Sequence, residues 1–341
     1  MATIGILGSG SWGTALAVHF AGVGGHEVAL WARSPDLVRE LAERRVNTAY
    51  LPEVELPARL TPTSSFADIA ACDLVLFVVP SHGFRDVLRR FLAEVPDDPQ
   101  RPRRTVISAT KGVETETLAR MSQVVAEEGE AAGRTLDFAV LSGPSFAAEL
   151  ARSQPTAAVV ASADHDLATA IRETLSTQYF RLYSSPDVVG VELGGATKNV
   201  IAIAAGVVSG LGLGQNTQAA LITRGLHEIA RLGSACGGLS RTFAGLAGLG
   251  DLVLTSTGGL SRNRRTGIEL ARGRTLADIT GDTPMVSEGI RNSLAIHRLA
   301  ELHRIEMPII RQTVALLYEG KDPRLAVLEL MTRELKSETE P

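Results

Sequence analysis

The segment ILGSGSWG, residues 6–13, constrains this chain more than any other stretch. It sets Gly8, Gly10 and Gly13 in G-x-G-x-x-G spacing between an apolar run, TIGIL, and a helix-forming run, SWGTALAVHFAG. With 33 glycines in the chain the string alone is weak, and a glycine turn of another α/β fold also produces it. Its place between a strand and a helix gives it content. The first glycine makes a tight turn, the second lets backbone approach a pyrophosphate, and the third lets helix pack closely on strand. The N–H groups at the helix start then face the phosphates.

The same alternation continues through the first half. HEVALWAR precedes SPDLVRELAERR, CDLVLFVVP precedes SHGFRDVLRRFLAEV, and RTVISAT precedes ETLARMSQVVAEEG. FAVLSGP, PTAAVVASA and YFRLYSS add further strands. Continuous apolar runs belong to strands buried on both faces, so the pattern predicts a Rossmann-type α/β domain with a doubly wound parallel sheet. From about Val188 the strand-like runs stop, and Ala/Leu/Gly-rich segments with helical spacing take over. The predicted organisation is a dinucleotide-binding α/β domain over 1–187 and an all-helical domain over 188–341, joined at SSPDVVG. Aromatics are only 4% of the chain, so Ala, Val, Leu and Ile must fill both cores.

Charge and composition exclude other classes. A formal charge of −4 argues against nucleic acid as a partner, which would favour a basic face. Two cysteines, Cys72 and Cys236, give no disulfide framework and fit a reducing, cytoplasmic setting. MATIGILGSG lacks the basic start of a signal peptide. VIAIAAGVVSGLGLG is shorter than the roughly 20 apolar residues of a bilayer span and rich in glycine, so no membrane span is expected. The histidines show no H-x-x-x-H or H-E-x-x-H spacing, so no metal is expected, and His82 in VPSHG reads as a polar loop residue. RPRR at 101–104 reads as a solvated loop.

Two positions are out of pattern. The second strand ends ALWARSP, which puts Arg33 where an NAD-specific site carries an acidic residue for the ribose. A guanidinium there suits a 2′-phosphate or stacks on adenine, which favours NADPH or use of both NADPH and NADH; an exposed arginine opening a helix is the other reading. The 34 basic residues include only four lysines, Lys111, Lys198, Lys321 and Lys336. Two of them lie near the charged C-terminus. Lys198 sits beside Asn199 at the head of an apolar run, in a chain that otherwise uses arginine.

In order along the chain, GSGSWGTALA, FVVPSH, SATKG, LSGPSFAAEL, GGATKNVIAIAAG, GLAGLGDLVLT and SRNRRTG resemble the segments of the NAD(P)-dependent glycerol-3-phosphate dehydrogenase family, in its bacterial form. The resemblance implies reversible reduction of dihydroxyacetone phosphate to sn-glycerol 3-phosphate, supplying phospholipid synthesis. It also implies a C-terminal domain of the 6-phosphogluconate-dehydrogenase type and a homodimer. By the same resemblance Ser11, Trp12, Arg33, Lys111, Ala147, Arg262, Val286 and Glu288 contact cofactor, NADP or NAD, along with Gly8, Gly10 and Gly13. Lys111, Gly143, Ser145, Lys198, Asp251, Ser261, Arg262 and Asn263 contact substrate, and Asn199 joins them from the ATKN string.

The chemistry agrees. Reducing a ketone develops negative charge on its oxygen, which needs a proton and a nearby cation. Arginine holds its proton at working pH, whereas lysine exchanges one, so Lys198 is expected as the proton donor. A lysine near a helix start with its ammonium in water is the bland reading. Lys111, at the end of the strand TVISAT, supplies a second catalytic cation. Asp251 is the carboxylate to orient a lysine, with a helix N-cap as its alternative. Thr255, one turn on, could support substrate hydroxyls. In SRNRR, Ser261, Arg262 and Asn263 precede the helix TGIELARG and form a fork for the substrate phosphate, while Arg264 and Arg265 read as solvated. Two competing functions remain at this point. One is a dehydrogenase of another small phosphorylated or carboxylated hydroxy substrate; the other is a dinucleotide-binding sensor whose helices serve only dimerisation.

Overall fold

Ile4 and Ile6 of the first strand (Thr3–Leu7) are buried in one apolar cluster and Leu7 in another, so the strand is covered on both faces. The computed structural model describes residues 1–95, 104–281, 287–335 and 337–338. That first strand pairs in parallel with Glu27–Trp31 on one side and Leu74–Phe77 on the other. The helices Ser11–Gly22 and His165–Leu175 cover one face through Leu16, Phe20, Ile171 and Leu175. Ser81–Glu94 and Met121–Ala131 cover the other through Phe84, Leu88, Phe91 and Val124. Period-2 burial on both faces is what the continuous apolar runs demanded.

The sheet has eight strands, and the chain reverses its direction of growth at Thr3–Leu7. One edge strand, Leu60–Thr63, was not expected, because Pro62 breaks its pattern; proline is tolerated there because the strand lies at the edge. The sheet is also not wholly parallel. Leu136–Ser142 and Thr156–Ala161 pair antiparallel, so the last two strands run against the other six. The cause is the connection. Its only helix, Ala147–Ala151, has 5 residues and rises about 7 Å, far short of the ~20 Å needed to carry the chain back along a seven-residue strand.

The chain divides into two units, Met1–Lys111 with Ala119–Val188, and Gly112–Leu118 with Val189–Pro341. A single cut at 187/188 therefore misses the short segment Gly112–Leu118. It belongs with the helices, where Val113 is buried in their core and Arg298 Nη1 donates to Thr115 O at 3.1 Å. In this second unit the helix Val188–Gly210 is central and almost wholly buried. It is long and apolar enough to cross a membrane, because the apolar run extends back through VVGVELGGAT, yet 83% of its apolar window is buried inside the protein. Its backbone touches that of helix Arg262–Ala271: a Cβ on Gly267 would lie 1.9 Å from Ile203 O. Glu228, on helix Gln215–Ala235, reaches across to cap helix Pro308–Tyr318, accepting from Ile309 N at 2.7 Å and Ile310 N at 3.3 Å.

Candidate active site

The glycine-rich turn lies at the C-terminal end of the first strand, where the sheet reverses its order of growth and α/β folds place ligands. Gly8 has φ of +123°, and a Cβ on it would fall 2.4 Å from Val78 O. A Cβ on Gly13 would fall 1.9 Å from Gly8 O. Turn and packing therefore demand both. A Cβ on Gly10 would meet nothing within 4 Å among the described residues, so no packing among them requires that glycine. Open space over an uncapped helix start, with no acidic residue in the first turn, fits the pyrophosphate of a dinucleotide. Ser11 and Trp12 open this helix and are half-buried. Arg33 is exposed just past Glu27–Trp31, and its guanidinium has no partner among the described residues. Ala147 starts the short helix that packs on Ser11–Gly22.

Three other expected residues of the first unit meet. Lys111 Nζ donates to Gly143 O at 3.1 Å, and Ser145 Oγ donates to the same carbonyl at 3.0 Å. His82 is exposed in the first turn of Ser81–Glu94, not in a loop.

In the second unit Lys198 lies mid-helix with 5% of its surface exposed, which removes the solvated-lysine reading. Its Nζ donates to Asp251 Oδ1 at 2.8 Å and to Thr255 Oγ1 at 2.6 Å. Thr255 Oγ1 is also 3.3 Å from Asp251 Oδ1, which closes a buried triangle. Asp251 begins helix Asp251–Thr257 but does not cap it; its carboxylate is turned to the lysine. A π-helical turn, Leu246–Gly250, precedes it, and the sequence carries no sign of this turn. Such turns hold one residue more than an α-turn and so rotate the next stretch of helix.

The SRNRR segment is the start of a helix, not the loop before one. Ser261 is its N-cap, accepting from Arg264 N at 3.2 Å, and Arg262 is exposed at its first position. Asn263 points inward. Its Nδ2 donates to Asn199 Oδ1 at 2.8 Å, and its Oδ1 accepts from Gly289 N at 3.0 Å and from Ser287 Oγ. Arg264 is not solvated as expected: it is half-buried, with Nη2 donating to Ser209 Oγ at 3.2 Å. Arg265 is exposed.

Two family models cover the chain. Residues 3–168 match the N-terminus of NAD-dependent glycerol-3-phosphate dehydrogenase, and residues 187–328 match its C-terminus. The chain belongs to this family. It is 49% identical over 340 residues to the NAD(P)+ glycerol-3-phosphate dehydrogenase of Koribacter versatilis, covering 99% of each chain. It is 50% identical over 336 residues to that of Geobacter sp. strain M21, covering 98% of each. Among solved structures, the glycerol-3-phosphate dehydrogenase of Coxiella burnetii superposes with a TM-score of 0.90 at 41% identity, over 97% of this chain and 99% of that one.

In this glycerol-3-phosphate dehydrogenase family member, one buried carboxyl oxygen lacks a partner among the described residues. Glu288 opens helix Glu288–Leu302, and its Oε2 is buried with no hydrogen-bond partner among the described residues, although the residue as a whole is half-buried. Burial pushes this carboxyl up to about 7, against the pull of the Arg262 and Arg291 charges. An unsatisfied acceptor there fits a donor from a ligand. Val286, the other expected residue of this segment, lies outside the described residues. Ser287 went unnoticed in the sequence; only its bond to Asn263, 24 positions away, marks it.

Proposed function

We propose that this chain catalyses the reversible reduction of dihydroxyacetone phosphate to sn-glycerol 3-phosphate. The observation that carries the reading is the buried triangle of Lys198, Asp251 and Thr255. NAD(P)H, when bound, supplies the hydride to the carbonyl carbon. Lys198 gives its Nζ proton to the carbonyl oxygen as negative charge develops there, and in the oxidation direction its neutral amine takes that proton back. Asp251 and Thr255 each accept a hydrogen bond from the ammonium and thereby fix where its nitrogen sits. Low water access strengthens the attraction between ammonium and developing alkoxide.

The cofactor is assigned to Gly8, Gly10, Ser11, Trp12, Gly13, Arg33, Lys111, Ala147, Arg262, Val286 and Glu288. Lys111, Gly143 and Ser145 are further substrate contacts. Arg262 and Ser261, at a helix N-terminus, are assigned to the substrate phosphate, where a guanidinium binds two oxygens at once. Asn199 and Asn263 hold that arm against the lysine helix; one amide N–H of Asn263 goes to Asn199 Oδ1 and one of Asn199 to Gly195 O, and each offers its second to the substrate. We further assign the enzyme to supply of glycerol phosphate for phospholipids, as a cytoplasmic homodimer. A sensor has no use for a buried proton donor with its own counter-charge.

Oxidation of NADPH in the presence of dihydroxyacetone phosphate, with dihydroxyacetone as the comparison, tests the assignment. Turnover that needs the phosphate supports it. Absence of turnover with either cofactor, in a chain that binds both, points to the sensor reading.

A further inference from the structure

The glycine-rich turn has a support far outside its motif. Asn47 lies in the two-residue strand Val46–Asn47 and is fully buried. Its Nδ2 donates to Ser9 O at 2.9 Å and to Thr14 Oγ1 at 2.8 Å, and its Oδ1 accepts from Tyr50 N at 3.2 Å. Thr14 Oγ1 in turn donates to Ser9 O at 3.2 Å. Both amide hydrogens and the amide oxygen are therefore used. The Ser9 carbonyl receives two donors from the protein interior.

Peptide planarity carries this outward. In a trans peptide the C=O of one residue and the N–H of the next point in opposite directions. Holding the Ser9 carbonyl inward thus aims the Gly10 N–H outward, at a residue whose Cβ would meet nothing within 4 Å among the described residues. That N–H has no acceptor among the described residues. We propose that Asn47 is a positioning residue of the dinucleotide site, which sets the Gly10 N–H toward the pyrophosphate. The proposal rests on the assignment of the glycine-rich turn to NAD(P)H. The site selects asparagine on chemical grounds. Aspartate has no donor for Ser9 O, and glutamine adds a methylene in a place with no free surface.

The test is fluorescence titration of NADPH and NADH, with adenosine 2′-phosphate, which lacks the pyrophosphate, as a competitor. Asn47→Ala and Asn47→Asp are expected to raise the Kd of both dinucleotides by the same factor, about tenfold for two lost donors. The Kd of adenosine 2′-phosphate stays at the parent value, as does the KM for dihydroxyacetone phosphate at saturating cofactor. Thr14→Val keeps the volume and removes one of the two donors to Ser9 O; it raises the dinucleotide Kd about threefold and serves if the Asn47 variants do not fold. Unchanged dinucleotide binding in the folded variants overturns the proposal. Equal weakening of adenosine 2′-phosphate also overturns it, since Asn47 would then act only through general packing. A parent that binds neither dinucleotide would instead remove the underlying cofactor assignment.

Discussion

Lys198 Nζ and Asp251 Oδ1 meet at 2.8 Å across 53 positions of sequence, and both side chains are almost wholly buried. An ion pair in such a place is a poor source of stability, because desolvation offsets much of its attraction. Its value to the protein is directional. In the proposed mechanism the carboxylate fixes an ammonium that must both carry charge and part with a proton.

Replacing Lys198 by arginine separates those two duties. The guanidinium keeps the positive charge but does not release its proton at working pH. Lys198→Arg is expected to lose about 10²–10⁴ in kcat while NADPH binding holds at the parent level. Near-normal turnover would leave only an electrostatic role. Asp251→Asn strands a buried ammonium without its counter-charge, and by that route costs about 3–5 kcal/mol of stability, read as a fall in Tm.

Arg33 stands exposed and unpartnered among the described residues, and the proposed cofactor assignment puts a 2′-phosphate on it. Arg33→Asp should lower kcat/KM for NADPH by about 1.5–3 kcal/mol, the scale of a charged hydrogen bond, and change that for NADH far less. Equal losses for both cofactors would show that the side chain stacks on adenine or supports the loop.

Arg262 is expected to spend its phosphate contact on orienting the carbonyl, so Arg262→Ala should depress kcat as well as raise KM for dihydroxyacetone phosphate. Turnover of dihydroxyacetone should be nearly indifferent. Equal loss on both substrates removes the phosphate assignment, and a separate NADPH titration isolates any cofactor effect.

Glu228 predicts a pH dependence of stability. Burial pushes its carboxyl from 4.5 up to about 7, despite the two N–H groups it accepts from Ile309 and Ile310. The folded state therefore keeps a proton that the unfolded state releases. The contribution is full below about 4.5 and is lost as pH rises through about 7. Across that window the parent should lose up to about 1.4 kcal/mol per pH unit relative to Glu228→Gln, which cannot ionise. Parallel urea midpoints for parent and variant between about pH 5 and about pH 8 would contradict this.

What the sequence disclosed depended on whether its cause was local. Gly8, Gly10 and Gly13 fall within one turn, so their spacing, read with the strand before and the helix after it, was enough to place that turn. Lys198 stood out because an arginine-rich chain had no compositional reason for it. The edge strand Leu60–Thr63 hid behind Pro62, and the reversed pair of strands hid behind a helix too short to recognise. Asn47 and Ser287 act across 38 and 24 positions, and nothing in their neighbourhoods marks them. The inward turn of Asn263 was equally silent, because its partners lie on other helices.

The π-helical turn Leu246–Gly250 has a consequence for how this site can be lost. An α-helix advances about 100° per residue, so removing one residue before Asp251 would swing its carboxylate a quarter-turn or more from Lys198. The exposed side chain of Leu249 can change without that effect, whereas Ala247 is buried and a Cβ on Gly248 would fall 2.1 Å from Phe243 O. The alignment of acid and base is thus stored as a count of residues. Changing the letter at Leu249 leaves it readable, but deleting a single codon erases it.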